Sequence, residues 1–545
     1  MRFLLVPHEV TDTTANIWVG VLGEDDKDDE RLKSVSLEYS ANNVSNEVKL
    51  DAQGWKVWKT WNDEDKDRYR SWAWKLSELR LKRNPEIVRT LNYQVITIPS
   101  LEPGKTYSLK LRVDSNAAAS SEGQVATLPD KLPEKGQKPF TILLGSCFYG
   151  PNDTDGLVGA TYHHIPAQQR PDIKILCGDQ VYLDNPWRET TLPWYRGYLT
   201  PGQFRAKLLE RYTNNWTQAV GDDAGFRRLL KDGANYFCSD DHEFWNNAPD
   251  FGGVGLAHTI TQQARDWWLD WAKGLLSGFQ YPSPLTQFQV PFEVGRKDGP
   301  CLSVCIADTR INRLPHGEQF MNEHHLEAVG QWIRNLRGPG ILVLGQPVLA
   351  RGNTIRSFRT ERFSGGIRYL LGRGRERGVL ASLKDLGSDA VGYFDRGLPD
   401  YPEQYNKLME YIRGSLYSIV VFTGDVHFGR VAYLGSNPLS RTKKLVEVIS
   451  SPTQVVTGLL GKPKSSGYKN APSLDSQQIT SQDPFQKRKE HVNHFATIEF
   501  SLENSANMHM TIKYWPILSR ATSTPRHEEP IEFSLPLEPD ESRLF

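Results

Sequence analysis

Apolar and polar residues alternate in short runs through the first 130 residues: NIWVGVL, SVSLEYS, EVKLDA, NYQVITIP, YSLKLRV and QVATLP. Alternation with a period of two gives each strand one apolar face, and several such strands at regular spacing predict a β-sandwich. The turn SLEPGKTY places Pro103 and Gly104 where a tight turn needs one fixed and one permissive dihedral. A Trp-rich, charged stretch, WKVWKTWNDEDKDRYRSWAWKL, interrupts the alternation and reads as an insertion packed by its tryptophans.

Residues 1–130 resemble a fibronectin type III or immunoglobulin-like domain, and the polar, proline-containing stretch at 131–138 reads as a linker. From 139 to 545 the pattern changes to continuous apolar runs: FTILLG, DIKILCG, ANYFCS, LSVCIAD, ILVLG, SIVVFTG and LVEVIS. Strands without alternation belong to a sheet covered on both faces. The amphipathic stretches TPGQFRAKLLERYTNNW and EHHLEAVGQWIRNL supply crossover helices, so this part is α/β.

Composition narrows the function classes. With 65 Lys and Arg against 65 Asp and Glu, no global field draws the chain onto nucleic acid or an anionic membrane. No run reaches the roughly 18 apolar residues of a membrane span. The apolar start MRFLLVPHEV is cut short by Pro7 and His8, so no export signal is expected. Five cysteines are too few and too odd in number for a disulfide framework. Cys301 and Cys305, four apart on one strand, would sit roughly 13 Å apart, too far to bridge. Reduced thiols fit a cytoplasmic protein.

The candidate chemistry lies at the strand ends, the edge where sites form in open α/β sheets. FTILLG runs into Ser146 and Cys147, and DIKILCG into Asp179, Gln180 and Tyr182. ANYFCS gives Asp240, Asp241, His242 and Glu243, and SIVVFTG gives Asp425 and His427. Each piece has a plain structural alternative: an ordinary Gly-Asp turn at Gly178, a helix-capping run at Asp240–Glu243, a small buried thiol at Cys147, a salt-bridged pair at Asp425 and His427. Together they gather Asp179, Asp241 and Asp425 at one edge, at a cost of several kcal/mol unless protons or cations neutralise them. Histidine, carboxylate, phenolate and thiolate suit a transition-metal ion, and an all-oxygen remainder suits a harder second ion.

The ordered set GSC, GDQVYLD, SDDHE, ADTRINR, VLGQP, TGDVH and VISSP resembles the PhoD-like alkaline phosphatases, a branch of the calcineurin-like metallophosphoesterases. The resemblance covers nearly the whole chain and implies a metallophosphatase-like β-sheet sandwich flanked by helices behind the N-terminal β-sandwich. It implies a ferric ion held by Cys147, Asp179, Tyr182 and His427, with calcium held by Asp179, Asp241 and Asp425 and Asp179 as the bridge. Zinc or manganese is the alternative filling if Tyr182 is only a packed aromatic. The expected reaction is hydrolysis of a phosphate mono- or diester by a water whose pKa a metal lowers toward about 7, with His242, beside Asp241, as general acid.

The chain departs from the secreted members in lacking a twin-arginine export signal. The stretch from Arg351 to Gly378, with eight arginines, matches no part of the pattern and reads as an exposed loop near the site. Arg310 and Arg313 could clamp phosphate or pair with Asp308. There is no G-x-S-x-G elbow, complete Walker loop or G-x-G-x-x-G after a strand, and GLLGKPKS lacks the phosphate-loop spacing. The competing reading is an inactive phosphatase-fold scaffold that keeps the ligands.

Overall fold

The computed structural model describes residues 2–23, 32–59, 90–113, 121–185, 199, 201–220, 224–245, 247–249, 262–280, 288–295, 301–314, 317–349, 396–434, 445–454, 479–485, 492–520 and 523–540. The stretch from Arg351 to Gly378 and most of the Trp-rich insertion lie outside these residues.

The N-terminal strands are β1 (Arg2–Val10), β2 (Ala15–Gly23), β3 (Val35–Ala41), β4 (Val44–Lys49), β5 (Lys56–Lys59), β6 (Thr90–Ile98), β7 (Thr106–Val113) and β8 (Ser121–Ala126). They pair antiparallel in two four-stranded sheets, β1-β2-β6-β5 and β4-β3-β7-β8. Alternation decides the faces: on β7, Tyr107, Leu109 and Leu111 are buried while Ser108 is exposed. They pack with Ile17, Val19 and Leu37 between the sheets. The apolar start of the chain is β1, with Leu4, Leu5 and Val6 all buried. Its two covered faces explain why it shows no alternation.

The remaining strands form two larger sheets. One is six-stranded, in the order β11 (Ala234–Cys238), β10 (Ile173–Cys177), β9 (Phe140–Gly145), β19 (His494–Leu502), β20 (Asn507–Pro516), β21 (Ile531–Pro536). The other is seven-stranded: β12 (Phe288–Gly295), β13 (Cys301–Ala307), β14 (Gly340–Val343), β15 (Ile419–Thr423), β17 (Leu445–Ile449), β16 (Arg430–Leu434), β18 (Ile479–Gln482). β9, β10 and β11 are parallel, as are β13, β14, β15 and β17. Every continuous apolar run of the sequence is one of these seven parallel strands.

Their inner faces meet in one core, where Ile142, Leu144, Ile175 and Tyr236 pack with Val304, Ile306, Val343 and Phe422. The outer face of the first sheet lies under α1 (Leu157–His163), α2 (Pro201–Thr217), α3 (Phe226–Lys231) and α4 (Gln262–Phe279), through Leu143, Leu176 and Phe237. The outer face of the second lies under α5 (Glu323–Arg334) and α6 (Pro402–Gly414), through Cys305, Leu342 and Val421. The two amphipathic stretches read from the sequence are α2 and α5. The architecture is an α/β sheet sandwich between helices.

The N-terminal sandwich is tied to this body at named points. Val10 N–H donates to Tyr236 Oη at 2.9 Å, Asn235 Nδ2 to Pro7 O at 2.8 Å, and Trp18 Nε1 to Gly278 O at 2.7 Å. Within 131–138, Leu132 is buried and Lys135 N–H donates to Leu502 O at 2.9 Å. All five cysteines are buried thiols. Among the described residues, no helix is long and apolar enough to cross a membrane.

Trp18 is among the largest fully buried side chains, packed against Phe279 at 5.7 Å between ring centroids. Trp18→Ala is expected to cost about 3–5 kcal/mol, as large-to-small core changes do. Urea unfolding followed by circular dichroism would read this as a lowered midpoint; an unchanged midpoint would contradict the packing described.

Candidate metal centre

Parallel strands deliver their C-terminal ends to one edge. In the first sheet that edge carries Ser146 and Cys147 after β9, Asp179 and Tyr182 after β10, and Asp240, Asp241 and His242 after β11. In the second it carries Asp425 and His427 after β15 and Ser451 after β17. The face-to-face packing of the sheets brings these two sets of ends together.

The chain turns sharply there. Cys147, Asp179 and His427 adopt φ 56° and Asp425 φ 66°, a left-handed conformation that costs a non-glycine residue about 1–3 kcal/mol. Two glycines make the approach possible. A Cβ on Gly178 would lie 2.5 Å from Asp240 Cβ, and one on Gly424 would lie 2.1 Å from Ser146 Oγ.

Three groups of metal-binding atoms result, each within 4.8 Å of one another: Cys147, Asp179 and His427; Asp179, Asp241 and His242; Asp240, Asp241 and Asp425. Asp179 and Asp241 each belong to two of them. Tyr182 Oη lies 3.3 Å from His427 Nε2, and Cys147 Sγ lies 3.3 Å from Asp179 Oδ2. The structure thus brings Cys147, Asp179, Tyr182, Asp241, His242, Asp425 and His427 to one place.

Polar neighbours hold these groups. His242 Nδ1 lies 2.8 Å from Asp184 Oδ1, and His242 N–H donates to Asp179 Oδ1 at 3.1 Å. Asp425 N–H donates to Ser146 Oγ at 3.0 Å, and His427 N–H to Ser451 Oγ at 3.1 Å. Gln346 Nε2 donates to Asp425 Oδ2 at 3.3 Å and accepts at Oε1 from Arg313 at 2.9 Å. Arg310 pairs with Asp240 rather than with the Asp308 side chain, whose carboxylate accepts the backbone N–H groups of Arg310, Ile311 and Ser239. Both arginines are thereby drawn into the walls.

The electrostatics are those of a buried acidic cluster. Burial, then the neighbouring Cys147, Asp241, Asp240 and Glu243, push the Asp179 carboxyl well above the usual range. Burial and Asp425 push the Cys147 thiol up to about 12, and burial, Cys147 and Asp179 raise the Tyr182 phenol. Burial would raise Asp241 too, but His242 and Arg310 outweigh it and hold it below its ordinary value. Burial lowers His242, and the stronger opposing pull of Asp184 and Asp241 lifts it to about 10.

A cation fits this set. Asp241 Oδ1 is buried and has no hydrogen-bond partner among the described residues, and the Asp241 carboxylate belongs to two ligand groups. Thiol, phenol, imidazole and carboxylate around one point are transition-metal donors.

The supporting roles of Asp184, Glu243, Gln346, Ser146 and Ser451 are not legible in the motifs themselves. All five lie inside the motifs read from the sequence. Their partners come from other loops, which a linear pattern does not connect.

No protein-family model matches the chain, and no curated protein matches it. Among solved structures it resembles one described as "Structure of PhoD", with a TM-score of 0.54 and 11% identity over 98% of this chain and 90% of that one. It also resembles a purple acid phosphatase PPD1 isolated from yellow lupin (Lupinus luteus) seeds, with a TM-score of 0.46 and 11% identity over 98% of this chain and 74% of that one. The likeness to PhoD spans nearly the whole chain and is one of fold.

In chelator-treated protein, Asp179→Asn is expected to raise the melting midpoint, because it removes one charge from a crowded, dry cluster. The sign follows from linkage. A carboxyl held above its ordinary pKa keeps its proton longer in the fold than in the unfolded chain, so its ionisation lowers stability as pH rises past about 4. The gain over wild type should therefore be larger at about pH 8 than at about pH 5. Differential scanning fluorimetry at both values checks this, and a variant less stable than wild type at the higher pH would refute it.

Proposed function

We propose that this protein is a metal-dependent phosphoric ester hydrolase acting on phosphate mono- or diesters. The observation that carries the reading is the convergence of ligand-type side chains from the strand ends of two sheets, with Asp179 and Asp241 each shared between two ligand groups. The fold likeness to PhoD supports it.

In this reading Cys147, Asp179, Tyr182 and His427 hold iron(III), while Asp179, Asp241 and Asp425 hold calcium; zinc or manganese would take the same donors. Bound cations supply Lewis acidity toward phosphoryl oxygens and a water made acidic enough to attack near neutral pH. Iron is favoured by Tyr182, because a phenol raised by burial becomes a ligand only on a strongly acidic ion.

The chain's own part is placement and proton transfer. Asp184 fixes the His242 ring through Nδ1, which leaves Nε2 to carry the proton given to the leaving oxygen. Asp241 N-terminal to it and Asp179, which accepts the His242 N–H, fix its backbone. Gln346, backed by Arg313, holds the Asp425 carboxylate against rotation. The buried walls keep the reacting groups in surroundings where such interactions act strongly.

Hydrolysis of p-nitrophenyl phosphate tests the reading: chelator should abolish turnover, and Asp425→Asn should lower kcat by orders of magnitude in a folded protein. Turnover that survives both would overturn it. His242→Gln separates the proton donor from the rest of the site. It should lower kcat by about 10²–10⁴ on an alkyl phosphate, whose leaving group needs a proton, and far less on p-nitrophenyl phosphate. Equal losses on both substrates would remove His242 from the role of acid.

A further inference from the structure

Glu243 closes the short turn Asp241–Glu243 and its side chain is fully buried. It belongs to none of the three ligand groups, yet its carboxylate touches both loops that carry them. Oε2 accepts the backbone N–H groups of Asp179 at 2.8 Å and Asp240 at 3.0 Å. Oε1 accepts the N–H of Gln180 at 2.6 Å and Nε2 of Gln280 at 3.3 Å. One carboxylate therefore ties the turn after β10 to the turn after β11, and it does so at Asp179, whose left-handed backbone needs an external restraint.

Gln280 leads back to the N-terminal sandwich. It follows α4 directly, and its N–H donates to Leu276 O at 2.9 Å. Two residues earlier, Gly278 O accepts Trp18 Nε1 of β2, and Phe279 packs against the Trp18 ring. The last turn of α4 is thus pinned by the sandwich on one side and reaches Glu243 on the other.

We infer that Glu243 is a positioning residue that sets the spacing of the two metal-binding loops, and that Gln280 is the contact through which the N-terminal sandwich supports it. The inference rests on the metal-site reading above. All the partners of the carboxylate are N–H donors, so both of its oxygens must be acceptors. An amide in its place presents NH2 to N–H groups whichever way it turns, so one pair of contacts is lost: Asp179 with Asp240, or Gln180 with Gln280. Supporting residues behind a metal site commonly change metal affinity by about 10–100-fold when altered.

The test titrates the full-length, chelator-stripped protein with calcium and, in parallel, manganese, by isothermal titration calorimetry. Glu243→Gln should weaken binding by about 10–100-fold. At saturating metal its kcat on p-nitrophenyl phosphate should return close to the wild-type value, with KM little changed. Gln280→Met should weaken binding in the same direction by less. Leu109→Ala, in the sandwich core, lowers stability without touching either loop and should keep wild-type metal affinity. Metal affinity in Glu243→Gln that matches wild type, or falls no further than in Leu109→Ala, would overturn the positioning role. If Glu243→Gln does not fold, Glu243→Asp replaces it: both acceptors remain but are drawn back by one methylene, and wild-type affinity in that variant would equally overturn the role. Weakened metal binding in a protein whose wild type hydrolyses no phosphate ester would sink the hydrolase reading while leaving Glu243 in place.

Discussion

The structure is organised around the placing of several buried carboxylates at one edge. Asp179, Asp240, Asp241 and Glu243 are all nearly solvent-free, and the Asp425 carboxylate belongs to the same cluster. Buried charges are costly unless paired or hydrogen-bonded. Part of this cost is met inside the protein: Arg310 sits on Asp240, backbone N–H groups converge on Glu243, and Asp184 and Asp241 hold His242 in its charged form. Burial and its acidic neighbours still push the Asp179 carboxyl well above its ordinary range, and it is shared between two ligand groups. A cation on the proposed reading reverses the sign of that local field and turns the unfavourable cluster into a binding site.

Bringing these groups together dictates backbone geometry. Strand ends from two sheets must approach within side-chain contact, so Gly178 and Gly424 occur where any Cβ would strike Asp240 or Ser146. Cys147, Asp179, Asp425 and His427 take a conformation that L-residues disfavour. Each is restrained by neighbours: Ser146 on Asp425, Ser451 on His427, Glu243 on Asp179. Cys147 N–H donates to Gly178 O at 3.2 Å, joining the β9 and β10 turns as well. The strain is local and the restraints come from other loops, so stability elsewhere in the fold maintains the site.

The sequence made the parallel strands legible because both their faces are covered, which leaves uninterrupted apolar runs such as FTILLG and SIVVFTG. It made the ligand types legible because each run ends in an abrupt change to Asp, His or Cys. The antiparallel strands β12, β16 and β18–β21 carried weaker signals, and β12, β18 and β21 among them lie at sheet edges. β18, for example, is only partly buried over its four residues, ITSQ. β1 was hidden for the opposite reason: buried on both sides, it looked like an apolar leader cut short by Pro7 and His8. Arg310 shows a further limit. Its nearest acid in sequence is Asp308, but its guanidinium pairs with Asp240 from another strand end, a choice that only the packing of the sheets determines.

The N-terminal sandwich acquires a physical reason from the same geometry. β11 is the outermost strand of its sheet, and it is the strand that ends in Asp240 and Asp241. An uncovered edge strand is held on one side only and frays more readily than a central one. Here β1 covers it: Val10 exchanges hydrogen bonds with Tyr236 Oη, and Pro7 O accepts Asn235 Nδ2. The start of β11 is thereby fixed by the sandwich, while its far end is fixed by Glu243 and, through Gln280 and Gly278, by Trp18 of the same sandwich. A donor set that must hold its spacing to a fraction of an ångström gains from having its edge strand held at both ends, and the sandwich takes part in both contacts, directly at the start of β11 and through the last turn of α4 at its end.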